Sequence, residues 1–126
     1  MQLGDQKPGS EPTEIPSQDD ITWYCGIYEG EGTCFQSQSG CPQCRIVQKD
    51  PELLYNARNL FGGVVRSYIR KKDNRTYYYW IISGKRAADF LMLVLQHPRT
   101  TARRKAQINK VLEPYLAKSL QKEGSI

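Results

Sequence analysis

Two carboxylates one residue apart, set among glycines, are the first residues that invite chemistry. They stand in the stretch Tyr24-Cys25-Gly26-Ile27-Tyr28-Glu29-Gly30-Glu31-Gly32. Just upstream, Ser17-Gln18-Asp19-Asp20 has the form of a helix N-cap with an acid three residues on. It predicts a helix from about Gln18 to Glu29, so Glu29 and Glu31 fall at or just past a helix C-terminus. That end already carries partial negative charge, and acids there are unfavourable by a few tenths to about 1 kcal/mol. A divalent cation offsets such a pair best. On the same helix Trp23, Gly26, Ile27 and Gly30 recur at i, i+3, i+4 and i+7, making a face of one large ring and two glycines. Each glycine costs roughly 1 kcal/mol inside a helix, so the stripe predicts that another backbone packs very close. An acidic helix end alone is common, and its meaning depends on what accompanies it.

The chain has a formal net charge of +5, from 18 Lys and Arg against 13 Asp and Glu, and the charge is unevenly spread. Up to Glu31 there is a single Lys and no Arg, beside Asp5, Glu11, Glu14, Asp19, Asp20, Glu29 and Glu31; cations dominate from Arg45 to Lys122. A basic body with an acidic corner suits a polyanionic partner, nucleic acid above all, with cations on phosphates and carboxylates on a metal. Arg66, Tyr68, Arg70 and Lys72 alternate with Ser67, Ile69 and Lys71, and period two places the first set on one face of a strand. No acid interrupts that set before Asp73. Such a face suits the major groove, with Arg on guanine edges and Lys on phosphates. Arg75 beyond the turn joins it, as does Arg45 from an earlier hairpin with Gln36 or Gln38; Cys34 and Phe35 compete for the core side of their strand. Arg103, Arg104 and Lys105 crowd the start of the last helix, against its dipole unless an anion binds there.

The four cysteines are Cys25, Cys34, Cys41 and Cys44. Cys41-Pro42-Gln43-Cys44 has knuckle spacing, and Cys34 offers a third thiolate for zinc. A complete site wants a second pair and none exists, so a turn with free or buried thiols is the preferred reading. No apolar run is long enough to span a bilayer, and no signal pattern opens the chain. The expectation is an intracellular protein, not secreted and without membrane attachment or disulfides, in prokaryotic or phage-infected cytoplasm or in an organelle.

The elements that must position these residues follow from periodicity and punctuation. Residues 1–16, rich in Pro and Gly, read as a flexible N-terminal arm, residues 17–120 as the working domain and residues 121–126 as a tail. After the first helix come a hairpin, Thr33–Gln38 and Arg45–Lys49, and a helix capped by Asp50 that ends at Gly62-Gly63. A second hairpin, Val64–Lys71 and Arg75–Ser83, leads to a helix over Lys85–Gln96 and a last one from about Thr101 to Leu120. With 39% hydrophobic residues the chain can bury one core. Two αββ units and a helical tail (αββαββα) predict an α+β fold, a four-stranded antiparallel sheet with helices on one face and the other face free to meet a ligand.

With these elements in place, Tyr24–Gly32 resembles the LAGLIDADG motif of homing endonucleases, a packed helix ending in acid-small-acid-Gly. Gly26 falls on the helix-crossing glycine, Cys25 on the small second position and Glu31 on the final acid. Tyr24 and Tyr28 stand where aliphatics are usual, and Glu29 and Glu31 where the named motif has Asp. The resemblance covers roughly Thr22 to Leu116. Phe61-Gly62-Gly63, the strand exit Tyr78-x-Trp80-x-Ile82-x-Gly84, and Arg104, Lys105 and Gln107 follow in family order.

The resemblance implies a saddle-like sheet and a homodimer whose motif helices cross through Trp23, Gly26, Ile27 and Gly30. It implies Glu31 as catalytic metal ligand, Gln48 near the catalytic water, and Arg104 or Lys105 near the scissile phosphate. Magnesium or manganese is the cofactor implied, double-stranded DNA the partner, and no small-molecule cofactor is expected. The function expected is site-specific hydrolysis of both DNA strands at a near-palindromic target, as in intron homing. A non-cleaving nucleic-acid binder of the same fold, such as a splicing cofactor or maturase, is the alternative. A zinc-stabilised interaction module is a third, for which only the cysteines speak.

Overall fold

Ser17 starts the first helix as its sequence dictates. Its hydroxyl accepts from the Asp20 amide at 3.0 Å and the Asp20 carboxylate accepts from the Ser17 amide at 2.9 Å, a complete capping box. In the computed structural model, which describes residues 10–124, the helix runs two residues beyond the expected end and takes in both acids. The elements are α1 (Gln18–Glu31), β1 (Gly32–Gln36), β2 (Pro42–Gln48), α2 (Glu52–Phe61), β3 (Val64–Arg70), β4 (Arg75–Ser83), α3 (Lys85–Gln96) and α4 (Ala102–Gly124). The expected αββ repeat with a helical tail is present, and the tail is the pair α3 and α4. Gly32 joins α1 to β1 without a loop. A Cβ there would collide with the Tyr28 ring, so only glycine lets the chain turn straight from helix to strand.

β2 begins at Pro42, earlier than the expected Arg45. Ser37 donates its amide to the Cys41 carbonyl and Gly40 takes a positive φ of 89°, which closes a tight turn and frees the following residues to pair. The Asp50 carboxylate accepts from the Glu52 amide at 3.0 Å, and Pro51 already holds helical angles, so Asp50 caps α2. Lys71 to Asn74 form the turn between β3 and β4, with Asn74 left-handed at φ 56°. Lys72 therefore stands in the turn, a correction to its expected place on the strand.

The sheet is antiparallel throughout, in the order β1-β2-β4-β3. Its register sorts the side chains. Cys44, Ile46, Trp80 and Ile82 face the helices and are buried with Leu54, Phe90, Leu91 and Ile108. Trp80 is the centre of this core: its indole donates to the Gly62 carbonyl at 2.8 Å, and its ring meets Phe90 edge-on at 5.4 Å. Cys34 pairs with Cys44 and takes the helix side, which leaves Phe35 on the opposite face. Gln36 shares the parity of Cys34, so it too leaves the open face, as a correction.

Part of the expected flexible arm is tied down. Ser10 and Gly63 exchange backbone hydrogen bonds at 3.0 Å, and the amides of Thr13 and Glu14 both donate to the Asn59 carbonyl. The free carbonyl at the end of α2 supplies the partner that sequence composition does not reveal. Residues 1–9 of that arm and the tail residues 125 and 126 lie outside the described residues. No helix among the described residues is long and apolar enough to cross a membrane.

Gly63 has a φ of 103°, and a Cβ there would run into the Ile82 side chain and the Ile81 carbonyl. Gly63→Ala is expected to lower unfolding free energy by at least about 2 kcal/mol, read from urea denaturation with an unchanged m-value.

Candidate functional site

α1 ends in two acids with no basic residue in its last turn, yet the two acids have different surroundings. The Glu29 carboxylate accepts from the Thr101 hydroxyl at 2.9 Å and from the Thr101 amide at 3.2 Å. It thereby caps the start of α4, where the helix dipole favours a negative charge. In return the Arg104 Nε donates to the Glu29 backbone carbonyl at 3.1 Å. Glu31, two residues on, is exposed and no side chain among the described residues engages it.

The three cations at the start of α4 divide in the same way. Arg104 turns inward and is only 9% exposed; its Nη1 donates to the Gln107 amide oxygen at 3.1 Å, and its guanidinium lies 5.4 Å from the Tyr28 ring centroid. The groups it meets are internal, the carbonyl end of α1 and, at 3.9 Å, the Glu29 carboxylate. Of the two cations the resemblance offers for a phosphate, Arg104 is therefore the one engaged within the fold. Arg103 and Lys105 are exposed.

Gln48 closes β2 opposite Tyr78 and is half-buried. It lines a cavity of about 590 Å³ between α1 and α2, together with Asp20, Trp23, Tyr24, Asp50 and Leu53. The structure thus sets Gln48 beside the flank of α1. Tyr24 and Tyr28 bury their rings on the core side of that helix, and Tyr24 donates its hydroxyl to the Leu53 carbonyl at 2.8 Å. Burial, and then the nearby Asp20 charge, push the Tyr24 phenol up to about 12.

On the other side of α1 lies the stripe Trp23, Gly26, Ile27 and Gly30, of which Ile27 also packs against the edge of the core. Trp23 is 62% exposed, Ile27 is half-buried, and no atom comes within 4 Å of where a Cβ on Gly26 or Gly30 would stand. Nothing among the described residues therefore demands these glycines.

The sheet face away from the helices carries Arg45, Arg66, Tyr68, Arg70 and Arg75, as the alternation predicts. Interleaved with them are residues that sequence reasoning missed: Phe35, Lys49, Tyr77 and Tyr79. The Arg45 guanidinium lies 4.8 Å from the Tyr79 ring and 5.7 Å from Phe35. Tyr68 stacks on Tyr77 at 5.9 Å, while Arg70 covers Tyr77 at 4.3 Å. The run Tyr77-Tyr78-Tyr79-Trp80 held the signal, since period two sends Tyr78 and Trp80 to the core and the other two outward. Asp73, in the β3–β4 turn, takes Arg70 Nη2 at 2.6 Å, the Tyr77 hydroxyl at 2.9 Å and the Arg75 amide at 3.2 Å. The Arg70 guanidinium, then the Tyr77 hydroxyl and the Arg75 amide, hold its carboxyl well below the usual range against a smaller opposing effect of desolvation.

The cysteines do not converge. Cys34 and Cys44 face the helices, whereas Cys41 lines a separate cavity with Gln43, Arg66 and Ser83 on the open side. No group of three or more His, Cys, Asp or Glu placed to hold a metal occurs among the described residues. Burial pushes the Cys44 thiol well up and that of Cys34 up as well. Cys41 thus stands on the opposite side of the hairpin from Cys34 and Cys44.

Residues 23–94 match the family model described as a LAGLIDADG-like domain. Among solved structures, a homing endonuclease, I-TnaI, is similar in fold, with a TM-score of 0.57 over 79% of this chain and 71% of that one, at 21% identity. None of the curated proteins matches the sequence.

Because Glu29 is a cap and Glu31 is not, their removal should differ. Glu29→Ala is expected to lower unfolding free energy by about 1 kcal/mol, whereas Glu31→Ala should change it by less than about 0.5 kcal/mol; urea titration of both checks this. The depressed carboxyl of Asp73 contributes stability that is full above the unfolded value of about 4 and is lost as pH falls toward the folded one. Asp73→Asn should flatten that part of the acid limb in a plot of stability against pH.

Proposed function

The chain belongs to the LAGLIDADG family, its matched residues 23–94 spanning more than half its length, and on that premise we propose that it is a site-specific, divalent-metal-dependent endonuclease of double-stranded DNA that works as a homodimer. The observation that carries the proposal is the open stripe of α1 ending in an exposed Glu31. A helix with Gly26 and Gly30 bare to solvent is prepared for a second backbone, and an isologous pairing brings two Glu31 carboxylates to one axis.

The donor chemistry fits such an ion. Glu31 offers carboxylate oxygens of the kind that hard divalent cations take, at a helix end with no basic neighbour in its last turn. One chain supplies one such acid, so the residues suit an ion shared between two copies. An ion held by Glu31 would supply Lewis-acid chemistry to the phosphoryl oxygen and to the attacking water. The rest is the work of side chains. Lys105 lies exposed at the start of α4, where a cation offsets the charge that grows on the phosphate. Gln48 offers an amide that both donates and accepts, suited to orienting a water. Arg104 ties α1 to α4 and so keeps Glu31 and Lys105 in fixed relation. Arg45, Arg66, Tyr68, Arg70 and Arg75 supply the face for the duplex, with Lys72 in the adjoining turn.

The test is cleavage of a randomised duplex library in magnesium by the protein and by Glu31→Gln. Cleavage by the unaltered protein is expected, with a loss of at least about a hundredfold in the variant. Binding by both without cleavage by either would leave the alternative, a DNA binder that does not cut. Arg66→Ala should weaken binding by about tenfold. Gly26→Leu should leave the chain folded but shift sedimentation from the mass of a pair to that of one chain; a pair that persists sinks the assigned interface.

A further inference from the structure

The open sheet face is more ordered than a row of cations requires. Arg45 projects from β2, an inner strand, between an aromatic ring from each neighbouring strand: Phe35 of β1 and Tyr79 of β4. No hydrogen bond or ion pair engages Arg45 among the described residues, and its Nε is buried without a partner there. Arg70 on β3 is held differently. Its guanidinium meets the Asp73 carboxylate at 2.6 Å, so an internal acid takes both its charge and part of its donor set. A pair of rings fixes the plane of a guanidinium and takes none of its donors.

A guanidinium held in plane, with terminal N–H groups unspent, matches one base edge. Guanine presents O6 and N7 side by side in the major groove, and a planar fork can donate to both at once. Adenine offers a donor at one of those positions, and an ammonium lacks the fork. Resting on the reading of this face as a DNA surface, we propose that Arg45 is a specificity-determining side chain that reads a guanine in each half-site, and that Phe35 and Tyr79 are the positioning residues that hold its plane. Arg70, already paired, contributes shape more than base choice.

The test separates this proposal from the reading beneath it. The full chain is mixed with a randomised duplex library in EDTA, so that nothing is cut, and bound duplexes are sequenced. The unaltered protein should enrich guanine at one position of each half-site. Arg45→Lys keeps the charge and should lose that enrichment by about tenfold, with other positions unchanged. Tyr79→Leu and Phe35→Leu should relax the same position, while Tyr79→Phe retains it; thermal melting shows that each variant is folded, and Phe35→Leu serves if Tyr79→Leu is not. Guanine enrichment that survives Arg45→Lys, or that falls equally at every position, overturns the proposal and leaves the DNA surface standing. Failure of the unaltered protein to bind any duplex removes both.

Discussion

Where the Glu29 carboxylate receives the amide and hydroxyl of Thr101, and Arg104 gives its Nε back to the Glu29 carbonyl, two helix ends of opposite partial charge are fastened together. The positive end of α4 gains an anion and the negative end of α1 gains a cation. Arg104 also lies over Tyr28, whose ring blocks any side chain at Gly32, so the same contact governs how α1 passes into β1. Glu31 lies between these points and Lys105 directly follows Arg104. Both exposed groups owe their relative placement to a tie in which neither takes part.

The second organising feature is the division of the sheet. Each strand sends alternate residues to a core centred on Trp80 and to a face of arginines and rings. Aromatic side chains serve both sides, but for different reasons. Phe61, Phe90 and Trp80 exclude water from the core through edge-on contacts. Phe35, Tyr77 and Tyr79 instead brace cations in the open, which limits the rotamers those long side chains would lose on meeting the proposed polyanion. A face ordered in this way suits selective contact better than mere attraction.

α1 is two-sided as well, and its sides have unequal partners. Tyr24, Cys25 and Tyr28 are sealed against the fold, while Trp23 is mostly exposed and Gly26 and Gly30 meet no atom of the described residues where a Cβ would stand. Helical glycines without a neighbour weaken the helix and return nothing unless a second backbone arrives. The open stripe is the surface that the proposed pairing would cover.

Sequence alone determined the order of elements, the capping residues Ser17 and Asp50, the α+β sheet, and the alternation that puts Arg66, Tyr68 and Arg70 on one face. All of these rest on local geometry, since hydrogen bonds three residues apart and a period of two are set by nearby backbone. The family resemblance had already set Glu31 apart from Glu29, but only the tertiary structure decided what Glu29 is spent on and which cation is spent with it. Glu29 and Glu31 are near twins in sequence, as are Arg104 and Lys105, and the choice depends on where α4 docks more than seventy residues away. The same holds for Cys34 and Phe35, whose sides were open until pairing with Cys44 and Gln43 set the register. The opening pair of carboxylates thus resolves into one cap and one exposed acid, because a long-range docking contact consumes the first and passes the second by.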